Sequence, residues 1–265
     1  MVVTVHNCAM CLLAFAHQHH PRWRFLLAGN RDEFHERPTA ALAEWADRPA
    51  LVAGRDLRSG GTWAGVDAHG RVAVVTNVRD PSIALAAAPS RGGLPVDFLA
   101  GGNDADTHAR ELLERASAYA PFNLILADAG ACRFVSNHPR PRQRPVLPGV
   151  HALSNGDLDE PWPKTRQLRA RMNAWIEAGD EDVTPLWQAL ADETTASDRD
   201  LPSTGVSLEW ERMLSPAFIR SRDYGTRTST LIAIDQQGHG WIAERRFGPD
   251  GVFEGETRLE IAPPS

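Results

Sequence analysis

Short apolar runs alternate with polar turns along most of the chain. Cys11 to Ala16 and Arg24 to Ala28 are strand-length runs separated by the polar stretch HQHHPRW, the layout of a hairpin. Thr62 to Val66 and Arg71 to Asn77, joined by the turn Asp67 to Gly70, predict a second hairpin. Phe122 to Ala127 and Cys132 to Ser136 flank Asp128-Ala129-Gly130 and predict a third. Thr228 to Asp235 and Trp241 to Arg246, on either side of Gln236 to Gly240, predict a last one, and Val150 to Ser154 reads as a single short strand. Helices are predicted over Leu94 to Leu99, Asp104 to Ala118, Pro163 to Glu177 and Thr184 to Ala191; the second has apolar residues at Ala109, Leu112, Leu113 and Ala116. Pro38 to Pro49, Pro81 to Gly93 and His138 to Pro148 read as irregular, and Asp192 to Ser203 as a polar, mobile segment. Hairpins without strand–helix alternation imply antiparallel sheets, hence an α+β fold rather than a doubly wound one. No repeat and no linker divides the chain, so one domain is expected.

Composition narrows the function. With 42 % hydrophobic and 23 % charged residues in 265, the chain is neither disordered nor fibrous. A formal charge of -6 without a basic block argues against nucleic acid as a partner. No apolar stretch approaches the roughly 18 residues of a membrane-spanning helix, so no membrane insertion is expected. Three cysteines, Cys8, Cys11 and Cys132, cannot build a disulfide framework, which points to a reducing compartment, the cytoplasm. GxGxxG, GxxxxGK[ST], HExxH and paired CxxC motifs are absent, so no cofactor is required by the sequence and no metal site is expected. Eight tryptophans read first as core filling.

Chemistry is best sought where polar clusters end apolar strands. Gly29-Asn30-Arg31-Asp32-Glu33 follows directly on the apolar run Phe25 to Ala28. As a turn it is unremarkable; as a charged cradle, Arg31 can hold a carboxylate and Asp32 can orient an amine. Asn77 ends the run Val72 to Val75, and Asn155 follows Val150 to Ser154. Such Asn residues are turn formers, or donors to a developing oxyanion. Arg227 sits in Gly225-Thr226-Arg227-Thr228 at the head of the last hairpin.

Taken with Met10-Cys11, these clusters resemble one family. The stretches MCLL, LLAGNRDEFHERPT, AGRDLRSGGTWAGV, VAVVTNVRDP, ALSNGDLDEPWPK and YGTRTSTLI are similar to blocks of the NRDE family, also called the transport and Golgi organization 2 family, from about Cys11 to Glu244. The resemblance implies a four-layer αββα sandwich of two antiparallel sheets, like that of N-terminal nucleophile hydrolases. It also implies that Cys11 follows the initiator methionine. Residues 1–10 are then an extension or a mis-called start, and 11–265 the family domain. If Cys11 is the first residue, its α-amine (pKa roughly 7.7–8.0) can take the thiol proton. The thiolate would attack the carbonyl of a linear amide. The resemblance places Asn77 and Asn155 at oxyanion and substrate-orienting positions, and Arg31, Asp32 and Arg227, with Asn30 of the tetrapeptide, around the amine and thiol. Should the amine stay blocked, the nearby His17, His19, His20 and His35 are the only alternative bases. The alternative function is a binding or trafficking protein on the same fold, taking haem, through Cys11 or a histidine, or an acyl lipid.

Overall fold

The computed structural model describes residues 10–83 and 88–264. The extension therefore lies, except for Met10, outside the described residues, as does Cys8. Among the described residues, thirteen strands form two antiparallel sheets. The first runs in the order β10 (Gly149–Leu153), β1 (Met10–His17), β2 (Trp23–Phe34), β11 (Tyr224–Asp235), β12 (Gly240–Phe247), β13 (Phe253–Ile261). The second follows chain order: β3 (Thr39–Glu44), β4 (Leu51–Asp56), β5 (Ala64–Asp67), β6 (Val72–Asn77), β7 (Phe122–Ala127), β8 (Cys132–Ser136), β9 (Arg142–Pro145).

Period-2 alternation builds the layers. Leu13 and Phe15 of β1, Phe25 and Leu27 of β2, and Ile232 and Ile234 of β11 join Val66, Val74, Ile125 and Phe134 of the second sheet in one buried cluster between the sheets. The intervening residues Leu12, Ala14, Leu26, Ala28 and Leu231 pack outward against α3 (Pro163–Ala178) and α4 (Thr184–Leu190), through Leu168, Met172, Trp175 and Leu186. Leu124, Leu126 and Ala73 turn the other way, onto α1 (Gly93–Leu99) and α2 (Ala105–Arg115). The result is the expected four-layer αββα sandwich. Seven of the eight tryptophans are buried, as core filling requires.

Helix ends follow capping chemistry. The Asp104 side chain accepts from Thr107 N–H at the head of α2, and α3 opens on Pro163 and closes at Gly179 in the left-handed region (φ 64°). Five elements depart from the expected pattern. β3 lies inside the stretch read as irregular from Pro38, and β9 inside the proline-rich His138 to Pro148. β4, β13 and the one-and-a-half-turn helix α5 (Leu208–Met213) had no predicted counterpart. Three of the strands, β3, β9 and β13, are sheet edges. Edge strands carry polar and proline residues that discourage further pairing, and so lack an apolar run. One further correction bears on the site: Asn30 to Phe34 is not a turn but the second half of β2, in register with Cys11 and Met10 on one side and Tyr224 to Ser229 on the other.

Candidate active site

Cys11 is the second residue of β1 and the register partner of Arg31. Alternation from Leu13 and Phe15 turns its thiol between the sheets, where it reaches a cavity of about 260 Å3. Arg31, Glu33, Arg37, Asp56, Trp63 and Asn77 contribute to the walls. The Arg31 guanidinium lies 4.5 Å above the Trp63 ring and 3.8 Å from the Glu33 carboxylate. Arg37 is 2.7 Å from Asp56 and 3.6 Å from Glu33. Burial works against the Asp56 carboxylate, yet Arg37 holds it below the ordinary range. The cavity rim is pinned where Gly61 meets Gly92: a Cβ on Gly61 would lie 2.4 Å from the Gly92 carbonyl, which accepts from Thr62 N–H at 3.0 Å.

Burial pushes the Cys11 thiol up to about 12; the Asp32 charge adds to the rise and Arg31 opposes it. With Cys11 joined to Met10 by a peptide bond, the thiol is protonated at neutral pH.

Asp32, one residue from Arg31, turns to the opposite face of β2, under the helices. It is fully buried, and its Oδ1 accepts from Thr226 Oγ1 at 2.6 Å. Its Oδ2 has no hydrogen-bond partner among the described residues. Burial raises this carboxyl to about 6, against the pull of Lys164, Thr226 and Arg31. Lys164, buried at the head of α3, donates to the Leu214 carbonyl at 2.9 Å; burial lowers it to about 8, with Asp32 opposing. The Cys11 carbonyl accepts from Ser154 Oγ at 2.9 Å, and the Ser154 carbonyl accepts from Thr76 Oγ1 at 2.9 Å. The ends of β6 and β10 are thereby tied to the residue carrying the thiol.

The structure divides the residues singled out in the sequence. Cys11, Arg31 and Asn77 face the cavity; Asp32 lies behind it. Asn155 is one step removed, donating from Nδ2 to the Asn77 carbonyl at 2.9 Å. Asn30 is not in the cavity. Its Nδ2 donates to the carbonyls of Leu190 and Ala217 at 2.8 and 2.7 Å, and its Oδ1 accepts from Ser229 Oγ at 2.7 Å, which joins β2 to the helical layer. Arg227 clamps the chain after β2, donating to the carbonyls of Phe34, His35 and Arg37. Of the histidines offered as bases, His17 ends β1 six residues from Cys11, about 20 Å along an extended strand, and His35 lies past the end of β2, four residues beyond Arg31, the register partner of Cys11; neither lines the cavity.

Sequence reasoning missed Arg37, Asp56, Lys164 and Glu244. Of these, Glu244 had a signal, because the alternation of β12 through Ile242 turns position 244 inward. Glu244 is buried, accepts from Leu42 N–H at 2.9 Å, and with Trp63 packs on Gly54, where no Cβ would fit. Burial pushes it up to about 7, opposed by Leu42 N–H, Arg246 and Arg31. The folded carboxyl thus keeps its proton above the unfolded value of 4.5, and stability declines as pH rises from 4.5 to about 7. Glu244→Gln retains the acceptor for Leu42. It is expected to raise stability at neutral pH and above by about 2 kcal/mol and to flatten the fall in Tm across that window. An unchanged profile of Tm against pH would reject this account.

Two antiparallel sheets packed between helical layers are the fold seen in N-terminal nucleophile hydrolases; here a cysteine near the start of the first strand faces a polar cavity. Among solved structures, a mutant conjugated bile acid hydrolase from Clostridium perfringens superimposes with a TM-score of 0.53, over 94 % of this chain and 92 % of that one, at 8 % sequence identity. The chain belongs to the family described as Transport and Golgi organisation 2, whose profile matches residues 10–249. It is 29 % identical to the human Transport and Golgi organization protein 2 homolog, over 94 % of this chain and 97 % of that one. The homolog from Bos taurus is 30 % identical (89 % and 92 % covered), and the Drosophila melanogaster protein 25 % (95 % and 98 % covered). Among the described residues no helix is long and apolar enough to cross a membrane.

Proposed function

We propose that this protein is a cysteine N-terminal nucleophile amidohydrolase that cleaves a linear carbon–nitrogen bond. The observation that carries the reading is Asp32 Oδ2, a fully buried carboxylate oxygen without a donor among the described residues, beside the residue that bears the thiol. An orphaned buried acceptor is costly, by about 1–3 kcal/mol or more for a charged group. A free Cys11 ammonium is the donor it lacks.

With Cys11 as first residue, its neutral amine takes the Sγ proton, and the resulting ammonium pairs with Asp32. Arg31, beside the thiol, favours the thiolate, which attacks the amide carbon. Asn77 donates to the oxyanion that forms, and Asn155 positions Asn77 through its carbonyl. As the carbon–nitrogen bond breaks, the ammonium returns its proton to the leaving amine, leaving a thioester on Cys11. Water, deprotonated by the same amine, hydrolyses the thioester and restores the thiol.

Intact mass of the protein from its native host tests the reading. The expected mass begins at Cys11, and that form should hydrolyse an amide with transient gain of one acyl group on Cys11, whereas Cys11→Ala should not. A native chain beginning at Met1, or a Cys11-start chain no faster than Cys11→Ala on an amide panel, would overturn it.

A further inference from the structure

One buried charge behind the first strand has no part in the hydrolytic steps. Lys164, the second residue of α3, is only 4 % exposed. The helix runs along the outer face of β1. Leu168 shares a buried cluster with Leu12 and Ala14, and the Trp175 ring lies 5.5 Å from that of His20, past the far end of the strand. Trp175 follows Lys164 by eleven residues, about 16 Å of helix. Lys164 therefore stands at the opposite end of β1, where Cys11 lies.

The segment after α5 closes the same corner. Lys164 Nζ donates to the Leu214 carbonyl at 2.9 Å, and the Ala217 carbonyl accepts from Asn30 Nδ2 at 2.7 Å. Ile219 N–H donates to Thr226 Oγ1 at 2.9 Å, and that hydroxyl donates to Asp32 Oδ1. Lys164 and Asp32 are thus enclosed by one stretch of chain on the helical side of β2. Asp32 is the strongest charge acting on Lys164, and Lys164 the strongest acting on Asp32. The Arg79–Glu211 ion pair and the Cys11 thiol also act on the lysine, Arg79 against its charge and the other two in favour. Around Cys11 itself the charges are Asp32, Arg31, Glu33 and Lys164.

An amine buried against a lone carboxylate is held protonated, because the pairing stabilises its charge. A protonated amine cannot take the Sγ proton. A second cation on the same carboxylate offsets that hold. We propose that Lys164 is a positioning residue for the Cys11 amine: it shares Asp32 with that amine and so keeps the amine a neutral base in the resting site. The proposal rests on the hydrolase reading, since it needs Cys11 as first residue. Lys164 is not itself the base, because it lies on the helical side of the sheet and the thiol faces the cavity between the sheets.

Carbamylation by cyanate reads the amine without turnover, because only the neutral amine reacts. The chain starting at residue 11, with Cys11→Ala so that no thiol competes, is followed against pH by mass spectrometry. Lys164→Met is expected to move the midpoint of N-terminal carbamylation up by about one pH unit, roughly a tenfold loss of reactive amine near pH 7. Lys164→Gln, which keeps a donor for Leu214, should do the same, and Lys164→Arg should stay near the parent. In the Cys11-start enzyme, kcat/KM of Lys164→Met should fall about tenfold at pH 7 and return to within about twofold of the parent by pH 9. Melting curves and Lys164→Gln guard against a fold lost with the bond to Leu214. An unmoved midpoint in Lys164→Met and Lys164→Gln, or an equal move in Lys164→Arg, would overturn the proposal. Midpoints that move as expected, with no amide hydrolysed by the Cys11-start form, would reject the hydrolase reading alone. Hydrolysis slowed equally at every pH, with the midpoint unmoved, would reject the inference alone.

Discussion

Replacing Asn30 by alanine is expected to destabilise the fold by about 3–5 kcal/mol while leaving the chemistry at Cys11 intact. The side chain makes three buried hydrogen bonds, donating to the carbonyls of Leu190 and Ala217 and accepting from Ser229 Oγ. Alanine removes all three and strands two carbonyls and a hydroxyl in a layer where water cannot replace the donor. Each such orphan costs about 1–3 kcal/mol. In a chain of this length that corresponds to a fall in Tm on the order of 10 °C. Asn30→Asp should be at least as damaging, since it sets a carboxylate against two carbonyl oxygens. Turnover per folded molecule of the Cys11-start form should change by less than about threefold, because the side chain lies on the face of β2 away from the cavity. Denaturant titration and active-site counting check both halves. A loss of turnover at unchanged stability would place Asn30 in the reaction instead.

That expectation shows what the sequence makes legible and what it hides. Asn30 to Glu33 reads as one polar cluster at a strand end, yet a strand divides its side chains by parity. Arg31 and Glu33 go to the cavity, and Asn30 and Asp32 to the helical layer. The tetrapeptide therefore does two jobs through one stretch of backbone, and no linear reading assigns them until the strand is known to continue to Phe34. The central hairpins were readable because their apolar runs are buried on both faces of a sheet that has helices outside and a second sheet inside. The edges were not: β13, FEGETRLEI, alternates exposed and half-buried positions, and its apolar residues Phe253, Leu259 and Ile261 are too scattered to form a run. The site itself is shared among β1, β2, β4, β6 and the segment before α1, so Arg37, Asp56 and Arg91 join Cys11 only through sheet packing. Lys164 carried no mark at all. It stands at a helix start, where a lysine is ordinarily solvated, and only the closing of α3 and Leu214 over it makes it a buried charge near Asp32.

Asp32→Asn is the substitution with the largest expected effect on chemistry, and its sign depends on what precedes Cys11. In the full chain, Cys11 has an amide nitrogen, and the Asp32 charge is the largest influence raising the thiol after burial. Asparagine keeps an acceptor for Thr226 Oγ1 but removes that charge. The thiol then ionises more readily, so alkylation of Cys11 by iodoacetamide at about pH 9 should accelerate several-fold, in line with thiolate control of reactivity. In the chain that starts at Cys11 the same change acts in the opposite direction. The ammonium formed when the amine takes the thiol proton loses its counter-charge, and turnover should fall about 10²–10⁴-fold, the range for losing a positioned base. Asp32 is raised to about 6 by burial in the full chain; the Cys11 ammonium pulls it down in the Cys11-start enzyme, so there the loss of turnover through Asp32 should appear only as pH falls below that value, where the carboxyl gains a proton and ceases to hold the amine. A residue that only supports the fold would move both forms the same way, through melting. Faster labelling of one form with slower turnover of the other arises only if Asp32 acts electrostatically on Cys11, first on its sulfur and, once the chain is opened, on its nitrogen.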